Sequence, residues 1–222
     1  MLFNRKYRNF LLTTMLALFA FALVSCSSDD PATPTSLSED TELTTEEIWL
    51  AAHADLTRQV NDPAMMEELA PILEEARAQL DNDMLKHRGR FLLTYSTTAV
   101  QIVPPPPPPT IHLHIDYNGF GTVLGRHTGF SDSYNDITVV PATQVTTSYS
   151  TDAHGDVLDW TSFGYFENSE DGLIVSFWGD ITHTGGTGRY DGATGSSRYY
   201  GKANNVELAG WFLTWGWLNL EH

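Results

Sequence analysis

His112, His114 and Asp116 stand two residues apart, and the positions between and beside them, Ile111, Leu113 and Ile115, are all aliphatic. Alternation at that period marks a strand with one apolar face, and it gathers both imidazoles and the carboxylate on the other face. Two imidazoles and a carboxylate are reasonable ligands for Zn, Mn or Fe. With the aliphatic side facing a core, however, the three polar side chains most simply face solvent. His127, His154 and His183 could join them only if the strand order brought them close. A second pattern lies near the end of the chain. Trp211, Leu213, Trp215 and Trp217 share one strand face, with Phe212 and Leu218 opposite. Tryptophan faces can bind sugar rings or flat aromatic ligands, but packing inside a barrel or beneath docked helices uses the same residues and is the weightier reading. Asp156, Asp159, Asp180 and Glu207 could do acid–base chemistry if one were buried, yet their spacing singles out no pair. Cys26 is the sole cysteine, so the chain can form no internal disulfide.

The elements that would position these residues fall into two kinds. Thr44-Thr45-Glu46-Glu47 fits a capping box, and Ile48, Ala52, Leu56 and Val60 then recur at every fourth residue. Asn61-Asp62-Pro63 ends that helix and opens another, in which Met65, Leu69, Ile72, Ala76 and Leu80 keep helical spacing. Pro71 removes a backbone donor and is expected to kink or divide the second helix. Two such short amphipathic helices have too little core of their own and should pack on something larger.

From about Lys86 acids thin out, and Gly, Thr and aromatic residues increase. Strands are expected at Phe91–Val103, at Ile111–Asp116 and then over residues 122–127, 137–140, 145–150, 157–166, 173–182, 198–202 and 211–218. About eight short strands in roughly 135 residues would just close a small antiparallel barrel filled by side chains. Six consecutive prolines, Pro104 to Pro109, are expected to fall in the first β connection and to form a stiff polyproline II rod there. The expected organisation is therefore residues 44–86 as a helical segment and 87–222 as a mainly-β barrel.

At the N-terminus Arg5, Lys6 and Arg8 precede an apolar run, Leu11 to Val24, that is short for a membrane span but ordered as an export signal. Leu23-Val24-Ser25-Cys26 resembles the lipobox of bacterial lipoproteins, which implies lipidation at Cys26 and removal of residues 1–25. Residues 26–43 are Ser, Thr, Asp, Glu and Pro with little to bury, hence a flexible acidic tether. Ser27 is not the aspartate of an inner-membrane retention signal, and Asp29-Asp30 resembles the surface-export signals of Bacteroidetes lipoproteins. That implies an outer-membrane anchor facing outward. The full chain carries a net charge of −16, and removing three cations with no acids leaves the mature part at −19. Such a charge argues against binding to nucleic acid and against a polybasic grip on anionic lipid, leaving the acyl chains as the membrane contact.

Three segments of the second half carry a family resemblance. They are Gly121-Thr122-Val123-Leu124-Gly125-Arg126-His127-Thr128, then Thr151-Asp152-Ala153-His154-Gly155-Asp156, and lastly the run from Thr184 through Gly185-Gly186-Thr187-Gly188-Arg189-Tyr190-Asp191-Gly192-Ala193 to Gly195. The third closely resembles a glycine-rich segment of the allene oxide cyclase/dirigent barrel superfamily, and the match covers about residues 88–222. The resemblance implies an eight-stranded barrel, related in shape to the calycins, with relatives that include trimers. It implies no activity here, because the shared motif is a turn motif and the superfamily's site residues find no matching positions. Locally, the glycines permit tight turns, Tyr190 would plug the turn against the barrel, and no Lys-Ser/Thr pair follows to hold phosphate.

The expected function is a non-catalytic, envelope-anchored binding module for a small apolar ligand, a glycan or an envelope protein, needing no cofactor and able to self-associate. The alternatives are an isomerase or cyclase acting on an apolar substrate in the barrel, and a purely structural envelope protein.

Overall fold

In a computed structural model of the chain, residues 43–83, 89–103 and 110–220 are described. Residues 1–25, Cys26, the rest of the 26–43 tether up to Glu42 and the prolines 104–109 lie outside them. All described residues belong to the unit Glu42–His222.

Helix α1 spans Thr45–Val60 and begins at the expected capping box. Thr44 accepts from the Glu47 backbone N–H at 3.3 Å, and Glu47 accepts from the Thr44 N–H at 2.9 Å. These contacts satisfy donors that the first turn leaves orphaned. Asn61 ends the helix in the left-handed conformation. Helix α2, Pro63–Asp83, runs without a break through Pro71. The expected division therefore does not occur. Among the described residues no helix is long and apolar enough to cross a membrane.

Eight antiparallel strands follow in simple up-and-down order and close on themselves. They are β1 (Arg90–Val103), β2 (Thr110–Gly121), β3 (Gly125–Asp136), β4 (Ala142–Asp152), β5 (Val157–Asn168), β6 (Ile174–Gly186), β7 (Thr194–Asn204) and β8 (Ala209–Asn219). Closure pairs β1 with β8, Phe91 opposite Trp217 and Leu93 opposite Trp215. Two expectations of strand position are corrected. Residues 122–124 form the β2–β3 turn, and 137–140 are a bend leading to the cis Val140–Pro141 peptide. Strand β3 instead occupies the intervening polar stretch, because its inward residues are His127, Ser131, Ser133 and Asn135, all buried.

The helices cover one side of this barrel. Trp49, Leu56, Leu69, Leu73, Ala76 and Leu80 pack against the outward Phe91 and Leu93 of β1 and Trp211, Leu213, Trp215 and Trp217 of β8. Lys202 of β7 donates to Glu68 at 2.7 Å, and Arg198 pairs with Glu75, tying α2 to the neighbouring strand. β8 is thus apolar on both faces because it has two covers, the helices outside and the barrel filling inside.

One end of the barrel is closed. Leu92, Val123, Leu124, Leu158, Tyr190, Ala193 and Leu218 form a separate apolar cluster there, with Tyr190 wholly buried. All three motif segments meet at this end, joined by one carboxylate. Asp152 accepts from the His154 and Asp156 N–H groups at 2.8 and 3.1 Å and from the Tyr190 hydroxyl at 3.3 Å. Its other partner is the Arg189 guanidinium at 2.7 Å, which also donates to the Val123 carbonyl at 3.0 Å. Gly188 has φ +56°, and a Cβ there would lie 1.9 Å from an Asp156 carboxylate oxygen. Glycine takes this left-handed conformation without strain and leaves room for the carboxylate.

Candidate functional site

Two places in the barrel gather chemistry-bearing side chains: the lumen and the outer face that the helices leave uncovered.

The lumen is narrow and polar. Tyr117 of β2 reaches over β3 to β4, donating to the Tyr149 carbonyl at 2.6 Å and standing 3.1 and 2.9 Å from the Ser148 and Ser150 hydroxyls. Burial pushes the Tyr117 phenol up to about 12. Gly129 makes room for it, since a Cβ there would sit 2.5 Å from the ring. Two imidazoles line the same space. His127 Nδ1 donates to the Gly125 carbonyl at 3.2 Å, so its Nε2 is the acceptor for Ser96 Oγ at 3.1 Å. His183 Nε2 lies 2.8 Å from Ser197 Oγ, and its buried Nδ1 has no partner among the described residues. What remains between Tyr117, His127, Ser150, Trp160, Ile181 and His183 is an internal space of about 20 Å³. That is room for one water, not for a substrate. A serine paired with an imidazole is a nucleophile–base arrangement in principle, but Ser96 and Ser197 are sealed inside.

The buried imidazoles do set an acid limit. Burial lowers His183 from 6.5 to about 4, and burial lowers His127 as well, partly offset by the Gly125 carbonyl. Both are held neutral in the folded chain, whereas the unfolded chain takes up protons below about pH 6.5. Their contribution to stability is therefore fully present above pH 6.5 and is lost as the pH falls towards 4. For His183 alone the loss is roughly 3 kcal/mol. Urea titrations between pH 7 and 4 should show that loss, and His183→Asn should remove most of it; an unchanged midpoint over that range would refute it.

Outside, His112, His114 and Asp116 share the solvent-facing side of β2, as the alternation implied, but the carboxylate that joins the histidines is Asp132 on β3. His112 Nε2 and His114 Nδ1 lie 3.2 and 3.1 Å from the same Asp132 oxygen. His114 Nε2 is 3.5 Å from Asp116, which accepts from Gln101 at 3.2 Å. The His114 hydrogen bond, with His112 beside it, holds the Asp132 carboxyl below its usual range. Among the described residues no three His, Cys, Asp or Glu form a metal-holding group. These five side chains are a polar surface network, and the pairing of Asp132 with both histidines follows from register, which spacing does not reveal.

The network borders an aromatic surface. Tyr134, Val145 and Phe163 lie directly opposite one another on β3, β4 and β5, and they are 49, 54 and 50 % exposed. Tyr165 and Trp178 pair in the adjacent row, with ring centroids 6.2 Å apart, and Phe163 and Tyr165 meet edge to face at 5.5 Å. His112 stacks on Tyr134 at 4.4 Å and 9°. An open depression beside them is lined by Asp116, Asn118, Phe130 and Tyr149. The pattern of β3 and β4 is inverted relative to an ordinary half-buried strand, with hydroxyl groups inward and rings outward.

The other sequence candidates are dispersed. Trp211, Trp215 and Trp217 are buried beneath α1 and α2, the packing alternative, and offer no ring face to a ligand. Asp156 sits at the closed end, Asp159 and Asp180 point outward from β5 and β6, and Glu207 lies in the β7–β8 turn. Comparison with protein-family models, with curated proteins and with solved structures returns no match.

Proposed function

We propose that this chain is a lipid-anchored, surface-displayed binding module without catalytic activity, which engages its partner through the uncovered outer face of β3–β6 and not through the lumen. The observation that carries the reading is the contiguous row Tyr134, Val145 and Phe163, about half exposed on three adjacent strands. Apolar surface of that kind on a folded chain marks interaction sites, and among the described residues the opposite side of the same barrel is covered by helices while this side is not. The filled lumen favours this over an enzyme acting on an apolar substrate inside the barrel. The lipobox-like Cys26 and the acidic residues after it support the anchor and the outward placement. The meeting of the three motif segments at one closed end supports kinship with the allene oxide cyclase/dirigent barrels.

The test uses the full chain and immobilised envelope fractions: peptidoglycan, surface glycan and outer-membrane protein. Retention by one fraction should drop at least tenfold in a Phe163→Ser/Tyr165→Ser variant and stay unchanged in Ser150→Ala, which alters only the lumen. Loss in the lumen variant with retention in the face variant would overturn the proposal.

A further inference from the structure

We infer that the β3–β6 face docks a cationic protein segment, one that presents Lys or Arg side chains between apolar residues. This rests on the reading that the outer face is the binding surface, and it names what that surface takes.

Strands β4, β5 and β6 contain no Lys or Arg, and they carry Asp159, Glu167 and Asp180 in outward positions. Strand β3 adds Asp132 and Asp136, with its one cation, Arg126, near the closed end. On the β7 side Arg198 is already engaged, by Glu75 and by Asp180 at 3.8 Å. The face is therefore acidic, and the chain as a whole stands at −16.

The aromatic residues add to this in the same sense. Ring faces are negative, so a Lys or Arg side chain laid over Phe163, Tyr165 or Trp178 gains from the quadrupole while its methylene stem covers the ring. Carboxylates at the border, Glu167 and Asp180, would then meet the charged ends. An anionic polymer is repelled by this arrangement. A neutral glycan could stack on the rings but would leave the excess of acids unmatched. Alternating basic and apolar residues on an extended segment match both features of the face.

The helices supply the internal control, because Glu67 and Glu74 are exposed on α2, away from the rings. Net charge alone would draw a basic probe to either place. The probes are a short peptide alternating Arg with Leu, its Glu counterpart, and neutral oligosaccharides, each titrated into the full chain by fluorescence anisotropy. The Arg peptide should bind, weaken about tenfold in Phe163→Ser/Tyr165→Ser, weaken several-fold in Glu167→Gln/Asp180→Asn, and be unaffected by Glu67→Gln/Glu74→Gln. Affinity should also fall as salt rises from low to physiological strength. Equal losses from the helix and the face variants would overturn the inference, because binding would then follow net charge. So would preferential binding of the oligosaccharides, or of the Glu peptide, at the face; those results would leave the outer-face reading standing. If no probe is sensitive to Phe163 and Tyr165, and the envelope fractions are equally insensitive, the outer-face reading fails as well.

Discussion

Replacing Asp152 by alanine is expected to cost about 3–5 kcal/mol of folding stability, the largest loss from any single polar substitution in the barrel. The side chain is fully buried, and its two oxygens hold two backbone N–H groups, a tyrosine hydroxyl and a guanidinium. Alanine leaves those donors beside an apolar cluster that offers them no acceptor, and an unpaired buried donor costs more than the bond itself was worth. Asp152→Asn keeps one acceptor for the turn and should fall between alanine and the native chain. The contrast is Asp55, whose 2.8 Å bridge to Arg58 is exposed on both sides. Its removal should change stability by less than about 1 kcal/mol. Chemical denaturation of the three variants checks the order. A small effect at Asp152 would mean that the three turns are held by the apolar cluster around Tyr190 alone.

The second large effect concerns the seam between helices and barrel. Trp215→Ala should destabilise by about 3–5 kcal/mol, since the ring is 2 % exposed and fills the space beneath α1 and α2. Trp215→Phe should cost far less. The buried indole Nε1 has no partner among the described residues, so losing it relieves a desolvation penalty that offsets much of the lost contact area. Denaturation midpoints compare the two variants, and limited proteolysis should show α1 and α2 cut faster in the alanine variant. If phenylalanine proves as damaging as alanine, the donor has a role that packing does not explain.

Much of this architecture is legible in the amino-acid sequence. The capping box at Thr44, the break at Asn61-Asp62-Pro63 and the four-residue repeats are local signals, and local signals survive folding. Ile111, Leu113 and Ile115 correctly marked the inward side of β2. The double-sided apolar pattern of β8 correctly called for a second cover, and α1 and α2 supply it. Strand β3 was not legible for a physical reason: a lumen lined by Ser131, Ser133 and Asn135 reverses the usual rule that the buried face is apolar. Its register was lost with it, and register is what puts Asp132 between His112 and His114. The aromatic face is hidden by the same reversal, because rings such as Tyr134 and Phe163 lie outward while hydroxyl groups line the lumen. Pro71 is a milder case, in which packing of Leu69, Leu73 and Ala76 on the barrel keeps the helix continuous despite the missing donor.

The most direct test of the account is amide hydrogen exchange on the full chain, with and without the envelope fraction that retains it. Protection confined to β3–β6, centred on Tyr134, Val145, Phe163 and Trp178, is the predicted result. Protection that instead appears on β2 around Tyr117 and β7 around Ser197, or beneath the helices at Trp211 and Trp215, would contradict it.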